Sequence, residues 1–428
     1  MRTNIKQYLK SKKRALGDED DQVLLSSTDL ASHDDVLTEI LLRLPIRSLL
    51  RSKCVSKRWR SLISDQRFAL IRNPNPNPPC GLFLRKTGNV TTPEYEFVPF
   101  DRGKHVKPPF KTLNFNGGVS NSGIIVLHSS NGLMLCYSLH EQFCNITKEV
   151  NYNAMYYVYN PTINQVVTLP KPNLDGCDWT QRRPRGMTLV FDPLKSPHYK
   201  VLSVGGHLWT DLYTIEIYLS ENMNWKTGPI FADQIDTEFM GGVYWNDAVH
   251  WINKKGYILY LKINEDYLDR VPTPVTHDNW NVKRHCYPLV QSHDCLLFID
   301  VYPPSIMKLD IHEMNRDYSG WSVKYHVDLN QVTRFIEQSE ITLAIDLIRR
   351  RESFVIHCLV VGEREEDSFL LLEIPGKAIR YNIALKTFQV ICDLEISKPL
   401  RSFVADDGFS KLGRWPGAFL FFESLSNV

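Results

Sequence analysis

Three pairs of residues bring possible metal ligands close together in the sequence, and all three fail on spacing. They are His285-Cys286, His293 with Cys295, and His357-Cys358. A structural zinc site takes four ligands at spacings such as Cys-x-x-Cys. Neighbouring residues of a strand point to opposite faces of the sheet. We therefore interpret these histidines as buried, hydrogen-bonded side chains and expect neither a metal ion nor any other cofactor.

No catalytic arrangement emerges from the remaining polar motifs. Residues 406–410 (DDGFS) occur once and fit an ordinary β-turn. Gly205-Gly206-His207 lacks the Lys-Ser/Thr and the following helix of a phosphate-binding loop. A G-x-S-x-G nucleophile motif is absent from the sequence. The sequence thus predicts a non-catalytic protein.

One segment has the composition of a protein-recognition loop. Residues 171–186 (KPNLDGCDWTQRRPRG) combine one tryptophan with three arginines and are longer than a hairpin turn needs. Tryptophan and arginine dominate binding hot spots, and guanidinium groups bind carboxylates or phosphates through paired hydrogen bonds. The alternative is an insertion that packs on its own sheet. The candidate substrate-binding residues are Trp179, Arg182, Arg183 and Arg185.

Residues 30–72 have the pattern of short amphipathic helices. Apolar side chains recur at i, i+3, i+4 and i+7 from Val36 to Leu44, and Asp34 and Asp35 are placed to cap this helix. Pro45 ends the helix. A second helix is expected over Ser48–Lys53 and a third from Ser56, with Trp59 on its apolar side.

Three helices of this size bury too little surface to be stable alone, so a partner surface is expected. Basic side chains line the polar faces, which suits an acidic helical partner. A lobe packed on the rest of the chain and a nucleic-acid contact are the alternatives, but no base-reading pattern accompanies the helices. The basic residues are Arg43, Arg47, Arg51, Lys53, Lys57, Arg58 and Arg60.

Composition restricts the class of protein. The chain has 428 residues, 43% hydrophobic and 23% charged, with a net charge of +2. These values are ordinary for a soluble globular protein and give no general attraction to nucleic acid or membrane. Neither a membrane span nor a secretory signal is predicted. Nine scattered cysteines without a Cys-x-x-Cys pair indicate a reducing compartment, the nucleus or the cytoplasm.

The chain divides into four segments. Residues 1–29 are polar and expected to be disordered, and their basic cluster is either a solvated tail or a nuclear import signal. The helices follow over 30–72. Residues 73–79 (NPNPNPP) predict a stiff spacer of polyproline geometry. From residue 80 to 428, short strand-like runs alternate with turn residues.

The strand rhythm of residues 80–428 predicts a β-propeller. About four strands fall in each forty to sixty residues, which is the size of a propeller blade. Six blades are expected, with five or seven possible and stacked sandwiches as the alternative. Turns are predicted at Asn131-Gly132, Asn160–Asn164, Asp192–Pro197, Glu221-Asn222 and Asn246-Asp247. The runs Gly81–Arg85 and Phe419–Phe422 are expected to lie in one blade, because a ring of sheets must close its open edge.

The spacing E-I-L-x-R-L-P-x-x-S-L-L-R-x-x-x-V-S-K-x-W-R-x-L-I over residues 39–63 resembles the F-box. This resemblance implies docking onto a Skp-family linker protein and, through it, onto the cullin and RING subunits of a ubiquitin ligase. The family usually has Leu-Pro before the acidic pair, where this chain has Ser32 and His33. The implied docking residues are Leu37, Ile40, Leu41, Leu44, Pro45, Leu49, Leu50, Val55 and Trp59.

A second resemblance covers residues 120–265. The patterns N-G-L-M-L-C-Y, Y-N-P-x-x-N, V-F-D-P and G-G-V-Y-W-N-D-A-V-H-W are similar to the F-box-associated, kelch-like domain of plant F-box proteins. The fold expected is a short three-helix F-box followed by a β-propeller. The function implied is that of a substrate-recognition adaptor in an SCF-type (Skp–cullin–F-box) ligase, with an unknown substrate protein as the second partner. The alternatives are a Skp-bound scaffold outside ligases and a propeller hydrolase with a helical appendage.

Overall fold

A computed structural model gives the architecture of the chain. It describes residues 27–72, 78–86, 93–100, 110–113, 115, 123–143, 150–172, 182–207, 212–232, 237–253, 255–274, 289–301, 308–338, 355–374, 376–394 and 417–428. Backbone contacts divide the chain into two compact units, with the division between Phe68 and Ala69. Residues 1–26 of the predicted disordered tail and residues 73–77 of the predicted spacer lie outside the described residues. The prediction of disorder is wrong for residues 27–29, because they belong to a helix.

The first unit is built from short helices: α1 (Ser27–Leu42), α2 (Ile46–Ser52), α3 (Lys57–Ser64) and α4, which runs on across the division (Gln66–Arg72). Three helices were expected, and α4 is an additional one. The prediction that Asp34 and Asp35 cap α1 is wrong, because this helix begins at Ser27 and continues through both residues. The second helix starts two residues before the predicted Ser48, directly after Pro45.

Besides the end of α4, the described residues of the second unit contain 23 strands, one α-helix and a single 3₁₀ turn (Glu365–Asp367). The helix is α5 (Asn330–Gln338). The strands are β1 (Gly81–Arg85), β2 (Tyr95–Pro99), β3 (Ile125–Ser130), β4 (Leu133–Phe143), β5 (Val150–Asn160), β6 (Gln165–Leu169), β7 (Arg182–Val190), β8 (Lys200–His207), β9 (Leu212–Leu219), β10 (Asn224–Ala232), β11 (Val243–Trp245), β12 (Ala248–Asn253), β13 (Tyr257–Lys262), β14 (Tyr267–Pro272), β15 (Val290–Ser292), β16 (Cys295–Val301), β17 (Lys308–Met314), β18 (Trp321–Asp328), β19 (Val355–Val360), β20 (Phe369–Ile374), β21 (Lys377–Asn382), β22 (Thr387–Asp393) and β23 (Ala418–Phe421).

These strands form the predicted six-bladed β-propeller. Blades 1 to 5 are four-stranded antiparallel meanders: β3–β6, β7–β10, β11–β14, β15–β18 and β19–β22. Blade 6 contains β23, β1 and β2. Inner strands of neighbouring blades contact each other at five of the six junctions and so surround the axis; the pairs are β23 with β3, β3 with β7, β11 with β15, β15 with β19, and β19 with β23. Six blades confirm the number expected from the strand rhythm.

Apolar packing between blades forms the core. Six clusters of buried side chains are found among the described residues, and each is shared by two adjacent blades. Trp225, Trp245 and Trp251 are buried. Gly242, the second glycine of the motif G-G-V-Y-W-N-D-A-V-H-W, allows close packing, because a Cβ there would lie 2.5 Å from both Thr188 Oγ1 and Trp251 Nε1.

The ring is closed by the end of the chain. Strand β23 pairs antiparallel with β1, with Gly81 opposite Phe421 and Leu84 opposite Ala418, which confirms the predicted closure. Residues 422–428 continue from β23 onto blade 1. There the fully buried Asn160 side-chain amide donates hydrogen bonds to the carbonyl oxygens of Ser424 at 3.1 Å and Ser426 at 2.7 Å. The backbone N–H of Thr162 donates to Asn160 Oδ1 at 2.9 Å. The Asn160 side chain therefore connects the C-terminal tail to blade 1.

Candidate docking surfaces

Two of the nine predicted docking residues form the interior of the helical unit. Leu41 and Leu49 are fully buried, together with three further side chains from α2, α3 and α4. These residues hold the helices together, and their side chains are not available to a partner without unfolding. The other buried residues are Ile46, Ile63 and Phe68.

The remaining seven predicted residues are exposed or half-buried. Ile40 is 43% exposed and Val55 is 63% exposed, and Pro45 is exposed as well. Val36, which belongs to the same apolar stripe as Ile40, is 50% exposed. An apolar surface of this kind on a unit of four short helices is typical of a protein interface. The half-buried residues are Leu37, Leu44, Leu50 and Trp59.

Local sequence fixes the positions of these helices. Pro45 precedes the first turn of α2 with φ −56° and ψ 147°, because proline fits the start of a helix and cannot continue the preceding one. Ser56 caps α3, and its hydroxyl accepts a hydrogen bond from the backbone N–H of Trp59 at 3.1 Å. Arg58 Nε donates to Asp34 Oδ1 at 2.6 Å and thereby connects α3 to α1. Asp34 is therefore a link between helices and not the predicted cap.

The polar surface of the helical unit is basic, as the sequence predicts. Burial, with a smaller contribution from the nearby Arg60 charge, lowers the pKa of Lys53. An acidic partner surface would relieve this crowding of positive charge. The exposed basic residues on the described part of this unit are Arg43, Arg51, Lys57, Arg58, Arg60 and Arg67.

The second predicted surface, residues 171–186, is only partly described. Trp179 lies outside the described residues. The backbone of Arg182, Arg183 and Arg185 lies in β7, the innermost strand of blade 2, with Arg182 opposite His207 in β8. Residues 182–186 are therefore strand, so the prediction of a loop is wrong for this end of the segment, and residues 173–181 lie outside the described residues. The role of the segment in binding stays a prediction.

The three residue pairs considered as metal ligands lie in different environments, as far as the structure describes them. His357 Nε2 lies 2.7 Å from Glu373 Oε2 and is mostly buried, as expected, whereas His293 is exposed in the turn between β15 and β16. The prediction of burial is therefore wrong for His293. His285 and Cys286 lie outside the described residues. Within the described part of the chain, no group of three His, Cys, Asp or Glu side chains has a geometry that could hold a metal ion.

One histidine that sequence reasoning did not single out is central to packing between blades 3 and 4. His250 Nδ1 donates to the carbonyl oxygen of Val243 at 3.2 Å, and Nε2 accepts from the Tyr318 hydroxyl at 3.0 Å. Burial lowers the pKa of His250 to about 4, so the ring is neutral near pH 7. The motif G-G-V-Y-W-N-D-A-V-H-W contains His250 and was the feature of the sequence that could have identified this residue.

None of the described helices is both long enough and apolar enough to cross a bilayer.

Comparison with known proteins agrees with the two-part architecture. The F-box domain model matches residues 33–70. F-box protein At5g07610 of Arabidopsis thaliana is 33% identical, and the match covers 94% of this chain and 94% of that protein. F-box/kelch-repeat protein At3g23880 of the same plant is 23% identical, with 56% of this chain and 65% of that protein covered. Among solved structures, Sqt1 of Saccharomyces cerevisiae matches with 10% identity and a TM-score of 0.35, covering 82% of this chain and 94% of that chain.

The full-length match carries the assignment, because it includes both the helical unit and the propeller. The structural match to Sqt1 is too weak to add to it, and the fold rests on the strand pairing itself. This chain belongs to the plant F-box proteins.

Proposed function

We propose that the protein is the substrate-recognition adaptor of an SCF-type ubiquitin ligase. The F-box helices dock onto a Skp-family linker, and the propeller captures a target protein for ubiquitination. The observation that carries the proposal is the apolar surface of the helical unit, where Val36, Ile40 and Val55 are between 43% and 63% exposed. These side chains contribute to stability only when a partner covers them.

The mechanism is proximity, and the protein itself makes or breaks no covalent bond. An adaptor that binds linker and target together converts the transfer of ubiquitin from a bimolecular encounter into a reaction within one complex. Selectivity then depends on what the propeller binds. A rigid six-bladed ring suits this task, because its loops are held by a scaffold that does not have to reorganise.

The proposal is tested by co-purification from plant cells. The tagged full-length protein is expected to retain the Skp-family linker and the cullin. A variant with Ile40→Asp and Val55→Asp is expected to lose both, because each substitution places a carboxylate in the apolar contact. The matched control is Leu385→Asp, which changes a leucine that is 61% exposed on the propeller.

Retention of the linker by the double variant would refute docking through this surface. Linker without cullin in the wild-type complex would favour the scaffold outside ligases over the adaptor.

A further inference from the structure

One serine of the helical unit has the sequence context of a substrate for arginine-directed protein kinases. Ser61 follows Arg58 by three residues and Arg60 by one. Kinases of this class select their substrates by positive charges placed before the acceptor hydroxyl. The spacing Arg-x-x-Ser/Thr is common, so burial and hydrogen bonding have to separate the sites that match it.

Four sites with this spacing lie within the described residues, and Ser61 is the accessible one. Thr188 and Thr273 are 1% and 3% exposed, so a kinase cannot reach them without unfolding the blade. Ser319 is exposed, but its hydroxyl accepts a hydrogen bond from the Asn315 side-chain amide at 3.0 Å. The Ser61 side chain is exposed and makes no hydrogen bond to any described residue.

The position of Ser61 on its helix places it beside two basic side chains. Ser61 lies in α3, a helix of eight residues. Lys57 and Arg58 precede it by four and three residues, so both lie on the same side of the helix as Ser61, and both are exposed. A phosphate group on Ser61 is therefore within reach of the Arg58 guanidinium.

Arg58 is also the residue that connects α3 to α1. Its Nε donates to Asp34 Oδ1 at 2.6 Å, and the two side chains are 47% and 42% exposed. A half-exposed ion pair of this kind contributes little free energy and is easily replaced. A phosphoserine carries about two negative charges and three strong acceptor oxygens, so it competes with the single carboxylate for the guanidinium. Phosphorylation of Ser61 would thus release α1 from α3.

The charges around the end of α3 act in the same direction. Asp65, the C-cap residue, follows Ser61 by four residues and therefore lies on its side of the helix. The C-terminal end of a helix carries a partial negative charge. A phosphate group so close to this end and to a carboxylate destabilises the last turn by repulsion.

We infer that Ser61 is a phosphorylation site for an arginine-directed protein kinase and that its phosphorylation weakens docking of the linker. The inference rests on the proposed adaptor function and adds its regulation. In the transfer, Ser61 Oγ bonds to the γ-phosphorus of ATP, the bond to the leaving ADP breaks, and the hydroxyl proton passes to a carboxylate base of the kinase.

The loss of docking has two physical causes. Ile40 lies on α1 and Val55 lies just before α3, so release of α1 separates the apolar residues that the linker covers. The phosphate also offsets the charges of Lys57 and Arg58 on a basic surface that suits an acidic partner.

The test uses the purified full-length protein with Ser353→Ala, because Ser353 follows Arg350 at the same spacing and lies outside the described residues. The protein is incubated with ATP and the catalytic subunit of cyclic-AMP-dependent protein kinase. Peptide mass spectrometry is expected to find the phosphate of α3 on Ser61. The affinity for a purified Skp-family linker is expected to fall by about tenfold or more after phosphorylation.

Two serine variants of α3 serve as controls. Ser61→Ala is expected to bind the linker as the unphosphorylated protein does and to ignore the kinase. Ser64 is also exposed but has a serine, and not an arginine, three residues before it. Ser64→Ala is therefore expected to be phosphorylated at Ser61 and to lose affinity as before.

A second measurement does not need the linker. Phosphorylation is expected to accelerate amide hydrogen exchange in α1, because the link from Asp34 to Arg58 is lost. Absence of phosphate from Ser61, unchanged exchange in α1, or unchanged linker affinity of the phosphorylated protein would each overturn the inference. Failure of the unphosphorylated protein to bind the linker would refute the proposed function instead, and the exchange rates would still decide whether phosphorylation releases α1.

Discussion

Substitution of Asn160 is expected to loosen the C-terminal tail and to destabilise the whole propeller. The Asn160 side chain makes three hydrogen bonds in a fully buried position, two of them to carbonyl oxygens of the tail. Asn160→Ala removes all three and leaves the carbonyl groups of Ser424 and Ser426 without these donors. Because an intramolecular hydrogen bond contributes about 1 kcal/mol net, the expected loss is about 3 kcal/mol.

The corresponding change in melting temperature follows from the size of the unit. Unfolding entropy is about 2.1 cal/mol/K per residue, and the unit from Ala69 to Val428 has 360 residues. A loss of about 3 kcal/mol therefore lowers the melting temperature by about 4 °C. Asn160→Asp is expected to be worse than Asn160→Ala, because a carboxylate cannot donate to the two carbonyls and would be buried beside them.

The assay is thermal unfolding followed by circular dichroism, in a double-mutant cycle with a chain that lacks residues 423–428. In the truncated chain, Asn160→Ala is expected to cost about 1 kcal/mol, since only the bond to the Thr162 N–H remains to be lost. An equal effect of Asn160→Ala in the full-length and truncated chains would refute the role of Asn160 in holding the tail.

Three further outcomes are expected from unfolding measurements. Met223→Asn should stabilise the protein by about 1 kcal/mol in a denaturant titration, because the left-handed turn position is less strained for asparagine; a loss of stability would contradict this. Gly242→Ala should be strongly destabilising, because the added Cβ would lie 2.5 Å from two side-chain atoms. Gly417→Ala should change the stability little, because no atom lies within 4 Å of a Cβ at that position. Burial lowers the pKa of His250 in the folded protein to about 4, so the folded protein holds this ring neutral. Between pH 6.5 and 4 the unfolded chain binds a proton at His250 that the folded protein does not bind. The free energy of unfolding should therefore fall as the pH falls through this range. A His250→Gln variant should lose that part of the pH dependence, and an unchanged pH profile would show that His250 does not contribute to it.

Local patterns predicted the propeller well, because each blade is a meander whose signals are short-range. Asn131-Gly132 and the 161–164 segment form turns as predicted, and the apolar runs at both ends of the domain pair in blade 6. The number of blades followed from a strand count that tolerates errors in individual strands. Closure was predictable because an open ring leaves unpaired strand edges.

Contacts between residues far apart in the sequence were not predictable in this way. The Y-N-P motif indicated a turn at Asn160, but its main partners are 264 and 266 residues away, and no local pattern identifies them. Asp34 looked like a helix cap, since a carboxylate before an apolar stripe usually is one, and its actual partner is Arg58 in another helix. Among the predicted docking residues, periodicity identified the apolar stripe, but only the structure separates buried Leu41 from exposed Ile40.

The central claim, docking through the exposed apolar residues of the F-box, is tested most directly by the dissociation constant for a purified Skp-family linker. Isothermal titration calorimetry on the full-length protein would compare Val36→Ala, Ile40→Ala and Val55→Ala with the wild type. These residues are about half exposed, so covering each contributes about 1 kcal/mol, and each substitution should weaken binding by about fivefold without a change in melting temperature. Wild-type affinity in all three variants would contradict the claim.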